Sequence, residues 1–276
     1  MTRPHRWLTL ATCILLALPL TAMAQDSSSS DTDASDTGGW HGSGEFGFAM
    51  SRGNSHTENI NAKLSLKQET ARWKNSFYLT GLRSKGDVTI VDADTGESIT
   101  QFSTTANRYE LGASVGYKFD PRSYLVTALR YEHDDFGANR WQGIFSVGYG
   151  YILLKNKRTE LSFEIGPGYK RYQPAYIIDV INGQRVKIKP PVEHEVVGRG
   201  LISWKWQFTD NTKLEDTLLV EAGSKNKYYQ NDLGLSVSMT KKLALKLGYQ
   251  VRYNSNAPIG TQSTDQLYTT NLVYNF

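Results

Sequence analysis

Two triplets have the residue types for chemistry. His133-Asp134-Asp135 and Glu193-His194-Glu195 each bring an imidazole together with carboxylates, the composition of a metal site or an acid/base pair. Neither has an established ligand spacing. A wider set of charges recurs at every second residue. It includes Lys63, Glu110, Arg130, Glu164, Arg199, Glu221, Lys246 and Arg252, with Glu45, Lys67, Glu132, Lys170 and Glu215 among others. Each of these lies in a stretch where polar residues hold one parity and apolar residues the other. What the charges can do depends on which parity faces inward, so the elements that carry them must be placed first.

The stretch KKLALKLGYQVRY, residues 241–253, shows the pattern most plainly. Leu243, Leu245, Leu247, Tyr249, Val251 and Tyr253 share one parity, and Lys246, Gln250 and Arg252 share the other. Period two is the side-chain repeat of a β-strand. In a soluble sandwich the apolar face packs a core, whereas in a membrane barrel it meets lipid and the charges line a lumen.

The pattern predicts about twelve strands: Trp40–Ser51, Thr57–Gln68, Trp73–Lys85, Phe102–Phe119, Tyr124–Asp134, Arg140–Leu153, Thr159–Tyr172, His194–Phe208, Lys213–Gly223, Tyr228–Met239, residues 241–253 and Asp265–Phe276. Most exceed the about 5–6 residues usual in soluble sheets and match the about 9–11 that a tilted strand needs to cross a bilayer. The connections sort by side. ETAR, DPRS, KNKR, TDNT and TKK are short, while residues 86–101, 173–193 and 254–264 form long connections, all on the opposite side. Outer-membrane barrels have this asymmetry of short periplasmic turns and long outer loops. The long segments VTIVDADTGESITQF and YIIDVINGQRVKIK hold turn signals between β-prone runs, Asn182-Gly183 above all, and predict hairpins that extend strand pairs three/four and seven/eight.

The flanks agree. Arg3 and Arg6, the apolar run Leu8–Leu20 and Ala22-Met23-Ala24 predict a signal peptide over residues 1–24. Residues 25–39, QDSSSSDTDASDTGG, predict a disordered acidic leader. The single cysteine, Cys13, lies in the predicted signal, so the mature chain carries no thiol and no disulfide. No basic block stands out and the formal charge is only +4, which speaks against a nucleic-acid partner. Leu272, Tyr274 and Phe276 share a parity in TTNLVYNF and resemble the carboxy-terminal signal read by the barrel-assembly machinery.

The opening Trp40-His41-Gly42-Ser43-Gly44-Glu45-Phe46-Gly47, followed by Ser51-Arg52-Gly53-Asn54-Ser55, resembles the salt-induced outer membrane protein family. The resemblance covers about Trp40 to Phe276. It implies a Gram-negative outer-membrane location and a domain without an assigned biochemical function.

The expected protein is therefore all-β: a transmembrane antiparallel up-and-down β-barrel of about 12 strands over residues 40–276. It is expected to act as a narrow channel for small solutes or ions, or as an envelope-integrity protein linked to salt stress, without a cofactor. Expected partners are outer-membrane lipids and lipopolysaccharide, with the barrel-assembly machinery and periplasmic chaperones during biogenesis. A general porin needs a wider barrel of about 16–18 strands. Two alternatives stay open: an outer-membrane enzyme built around His133 or His194, and a soluble secreted carbohydrate-binding β-sandwich.

Overall fold

The computed structural model describes residues 38–52, 56–91, 96–181, 184–257 and 262–276. The predicted signal and nearly all of the leader lie outside them. So do Gly53-Asn54-Ser55, residues 92–95, Asn182-Gly183 and residues 258–261.

Fourteen strands follow in order: β1 Trp40–Ser51, β2 Thr57–Glu69, β3 Trp73–Val91, β4 Ser98–Lys118, β5 Ser123–Asp134, β6 Asn139–Lys155, β7 Thr159–Pro174, β8 Ile177–Ile181, β9 Gln184–Ile188, β10 Glu193–Thr209, β11 Thr212–Gly223, β12 Lys227–Ser238, β13 Leu243–Asn254 and β14 Thr264–Asn275. Twelve of them form a closed antiparallel barrel in which each neighbours the next, and β8–β9 forms a separate two-stranded sheet. The barrel closes where β14 pairs with β1, Asn275 opposite Ser43 and Leu272 opposite Phe46. Closure leaves no unpaired edge, the condition for a sheet that spans a bilayer.

Register carries the parity from strand to strand. Leu245 sits between Val237 and Leu272, and Lys246 sits between Ser236 and Asn271. Large apolar side chains such as Phe46, Leu129, Phe145, Ile165 and Leu247 are exposed on the outside, while Glu110, Arg130, Glu132, Lys170 and Glu221 are buried. This is a soluble protein turned inside out, and it removes the β-sandwich alternative. The exterior band is bordered by aromatic girdles. Trp73 packs edge-on against Tyr117 (5.3 Å between ring centroids) near the short turns, and Tyr109 stacks on His133 (4.9 Å) near the loops. Tyr117 and Tyr109 stand eight residues apart on β4, roughly 26 Å along the strand, which at the tilt of about 35–45° usual in outer-membrane barrels spans about 20 Å of their about 25 Å apolar band.

Four of the five short turns share one device. The Thr70 hydroxyl, the Asp120 and Asn156 side-chain oxygens and the Thr240 hydroxyl each accept the backbone N–H groups two and three residues on. These local bonds satisfy amides that the ladder leaves free at a tight reversal. At Asp120 they hold the carboxyl below its ordinary range, the backbone N–H of Arg122 contributing most.

One loop expectation is met and one is corrected. The β3–β4 pair runs on continuously to Val91 opposite Ser98, so that hairpin does extend the barrel wall. The segment after β7 does not extend its own pair. It forms the separate two-stranded β8–β9 sheet, Ile177 opposite Ile188. Pro174 ends β7, and Pro190-Pro191 precedes β10. Proline offers no N–H to a ladder, so continuous pairing stops at both places.

Candidate functional site

The inward parity builds a lumen with two unlike halves. From the short-turn rim inward there is a cavity of about 760 Å³, lined in part by Lys63, Glu110, Arg130, Glu164, Arg199 and Lys246. Small hydroxyl side chains occupy much of its wall, including Ser65, Ser76, Ser114, Ser162, Ser203 and Ser236. Near the loops there is a second, smaller cavity of about 160 Å³, lined by Glu132, Asp134, Gln142, Tyr228 and Arg252 with the residues at the strand ends. Between the two lies a layer of buried, mutually bonded side chains.

That layer ties opposite walls. The Arg130 guanidinium, from β5, grips the Glu221 carboxylate of β11 with two bonds (Nε 3.0 Å, Nη2 2.6 Å) and donates a third to Glu132 (2.8 Å). Arg252, from β13, donates to Glu132, to Asp134 (3.2 Å) and to the Tyr228 hydroxyl (2.8 Å). The Tyr228 ring packs beside both guanidiniums, 5.0 Å from Arg130 and 5.5 Å from Arg252, and 5.9 Å from the Lys170 ammonium. The Gln142 side-chain amide donates a hydrogen bond to Glu132 (2.9 Å). Planar guanidinium suits this role because its forked donors pair two-to-two with a carboxylate while its face lies on an aromatic ring. Glu221, Lys170 and Tyr228 are each 1% exposed, so this cross-section holds side chains rather than a continuous water column.

The wall on the β5–β6 side is not uniformly polar. Tyr124, Val126, Ile144 and Ile152 point inward and are buried. Tyr124 is seated by a missing side chain: a Cβ at Gly150 would overlap its ring. Its hydroxyl donates to Glu164 (3.1 Å), and the Lys74 ammonium lies 5.1 Å from its ring centroid. Tyr78 lies likewise over Gly112 and donates to Glu110 (2.5 Å). An aromatic ring laid over a wall glycine fills the barrel interior without a clash.

The two histidine triplets do not form clusters. Successive residues of a strand point to opposite faces. His133 and Asp135 face outward, with 3.1 Å between the ring nitrogen and the carboxylate, while Asp134 turns inward to Arg252. His194 lies outside against Tyr169, at 6.0 Å between ring centroids. Glu193 instead accepts from Tyr172 (3.1 Å) and Lys225 (3.0 Å), and Glu195 accepts the Lys225 backbone N–H. Among the described residues no group of three His, Cys, Asp or Glu could hold a metal ion.

Sequence reading did not single out Gly112-Ala113-Ser114-Val115-Gly116, which has the G-x-S-x-G spacing of a nucleophile elbow. The segment is unbroken β4 rather than a strand-to-helix turn, and the Ser114 hydroxyl bonds to Ser76 (2.8 Å). Gly112 is accounted for by the Tyr78 ring. Tyr228 also went unmarked, although it shares its parity with Gln230 and Asp232 and so was findable from the strand pattern. Leu272, Tyr274 and Phe276 lie exposed on the exterior, and Phe276 exchanges backbone bonds with Gly42 (2.8 and 2.9 Å).

The chain is 25% identical to the uncharacterized protein YdiY of Escherichia coli K12 over 171 residues, 62% of each chain. It thus spans about 62% of the length of that curated relative. Its barrel is similar to an outer membrane channel from Pseudomonas putida F1, at 11% identity over 91% of this chain and 100% of that one, with a TM-score of 0.46. It is similar also to the translocator domain of the autotransporter NalP from Neisseria meningitidis, at 11% identity over 86% of each chain, with a TM-score of 0.45. Residues 44–276 match the family described as "Protein of unknown function, DUF481", and the chain belongs to that family.

Proposed function

We propose that this protein sits in the bacterial outer membrane and forms a narrow passage for small polar solutes, shut toward the loop side by the arginine–carboxylate layer. The short turns then face the periplasm and the long loops face outward. One observation carries the reading: a cavity of about 760 Å³, lined by charged and hydroxyl side chains among apolar ones, reaches the turn-side rim and ends against side chains. Arg130, Glu132, Glu221 and Arg252 close the lumen by rotamer alone, so it can open without moving the wall. Buried ion pairs are seldom the most stable filling for a core, and apolar residues of equal volume often do better. Their use across a lumen therefore favours a layer that must be able to let go. The apolar exterior between the girdles meets lipid, with lipopolysaccharide on the loop side. Leu272, Tyr274 and Phe276, on the strand that closes the barrel, are the handle for the assembly machinery.

Solute efflux from proteoliposomes tests this. The wild type is expected to release small sugars and organic ions slowly. Glu132→Ala/Arg252→Ala, which removes one carboxylate and one guanidinium together and leaves the Arg130–Glu221 grip, is expected to release them at least tenfold faster. Equal, negligible rates from both folded proteins would instead point to an envelope-integrity role.

A further inference from the structure

We infer that the turn-side half of the lumen binds small multivalent anions, carboxylates or phosphates. This rests on the passage reading above and names the class of solute that enters it. Apart from Arg130, which the layer's own carboxylates neutralise, nine lysine and arginine side chains line that cavity against seven aspartates and glutamates. The carboxylates are already shared. Glu160 takes both Lys74 (3.6 Å) and Lys205 (3.3 Å), Glu69 takes Lys118 (2.6 Å) and Lys155 (2.9 Å), and Glu45 takes Lys246 (2.8 Å) together with the Asn271 amide (3.4 Å).

Among the described residues three of these cations have no carboxylate partner: Arg108, which donates to the Gln250 amide oxygen (2.7 Å), and Lys63 and Lys67. Among the described residues neither Lys63 nor Lys67 has a carboxylate within 4.0 Å. Both stand on β2 with the same parity, four residues apart, or roughly 13 Å along the strand. Lys67 lies within electrostatic reach of Lys63, Lys205 and Lys213, with Glu215 the carboxylate among them, and Glu215 already has Lys213 at 3.5 Å. Like charges gathered inside a low-dielectric wall focus a positive field into the space between them. The wall there is made of small hydroxyl residues: Ser65 separates the two lysines on β2, and Ser76 and Ser203 line the same cavity. Such residues leave volume for a ligand and supply hydrogen bonds to its oxygens. Lysine is a compact, hydrated point charge on a long stem, suited to holding an anion that must leave again. A monovalent ion would engage one ammonium, whereas a tricarboxylate or a pyrophosphate spans several. A solute from the turn side meets these lysines before the arginine layer, so binding does not require the passage to open.

Isothermal titration calorimetry of the full barrel in neutral detergent at low salt tests the site. Citrate and pyrophosphate are the probes, with acetate and maltose as controls. Both probes, or one of them, should bind at least tenfold more tightly than acetate, and the stronger probe identifies carboxylate or phosphate as the source. Lys63→Gln/Lys67→Gln should weaken that binding at least tenfold, and Lys213→Gln serves as an independent variant. Lys241→Gln/Lys242→Gln, in the exterior turn before β13, should leave it unchanged. Citrate and pyrophosphate binding no tighter than acetate, or unaltered by the lumen variants, would overturn the inference. Efflux is measured separately. A barrel that releases maltose through the opened layer but ignores these anions keeps the passage and loses the site, and one that binds them without efflux does the reverse.

Discussion

The two halves of the lumen are lined by the same strands and the same parity, yet they are built to different ends. Toward the loops, Arg130, Glu132, Glu221 and Arg252 are buried with their charges matched and Tyr228 packed between them. Toward the turns, serines leave space, lysines share carboxylates, and cations are in excess. A strand alternation can therefore specify an inside without specifying whether it is filled. What decides is side-chain size at successive inward positions. On β5 these are Tyr124, Val126, Ala128, Arg130, Glu132 and Asp134, and on β2 they are Asn61, Lys63, Ser65 and Lys67. The first series fills the space beside its wall along the length of the barrel, and the second, with Ser65 between its lysines, leaves room on the turn side.

The largest expected difference between the halves is in stability. Glu132→Ala removes the carboxylate that Arg130 and Arg252 share, leaving Arg130 on Glu221 and Arg252 on Asp134, and should cost about 3 kcal/mol, read from denaturant midpoints of the barrel in micelles. Glu160→Ala in the open half should cost no more than about 1 kcal/mol. Similar losses at the two sites would erase the distinction between a packed layer and a wet vestibule.

The wall gives the next effect. Leu247→Arg places a charge on the exposed apolar face, nearer the middle of β13, and should hinder insertion by about 2–4 kcal/mol near the midplane. Lys246→Leu, its neighbour on the inner face, should cost less than half as much, with heat-modifiable gel migration as the readout for both. Gly112→Val should follow, at about 1–3 kcal/mol, because the new side chain would meet the Tyr78 ring that covers this position. Unchanged unfolding of that variant would mean the ring is free to leave.

The smallest effect belongs to the turns. Asp120 titrates below its ordinary range because the Arg122 and Ser123 N–H groups favour its charged form. A carboxyl depressed on folding stabilises above its unfolded pKa of about 3.9 and loses that contribution as pH falls through the folded value. The wild type should exceed Asp120→Ala slightly at neutral pH, and the gap should shrink below about pH 4.

The barrel was legible because period two over a dozen long segments leaves few other folds, and because connection lengths sort by side. The β8–β9 hairpin is less legible for a local reason: β-prone residues flank Asn182-Gly183, but Pro174, Pro190 and Pro191 cut that ladder from the wall. In the lumen, parity marks Lys246 and Arg252 as alike, yet Lys246 reaches Glu45 while Arg252 reaches Glu132 and Asp134. Those partners lie more than 110 residues away in sequence, and nothing local encodes them. The histidine triplets misled in the opposite way, since adjacency in sequence is separation in a pleated strand.

Single-channel current in planar bilayers addresses the division of the lumen most directly. The wild-type barrel should hold a low or closed conductance, and Glu132→Ala/Arg252→Ala should open it at least several-fold, with the folded state of both verified by gel migration. A wild-type barrel that already conducts as freely as this double variant would contradict the account, because the arginine–carboxylate layer would then not be what shuts the lumen.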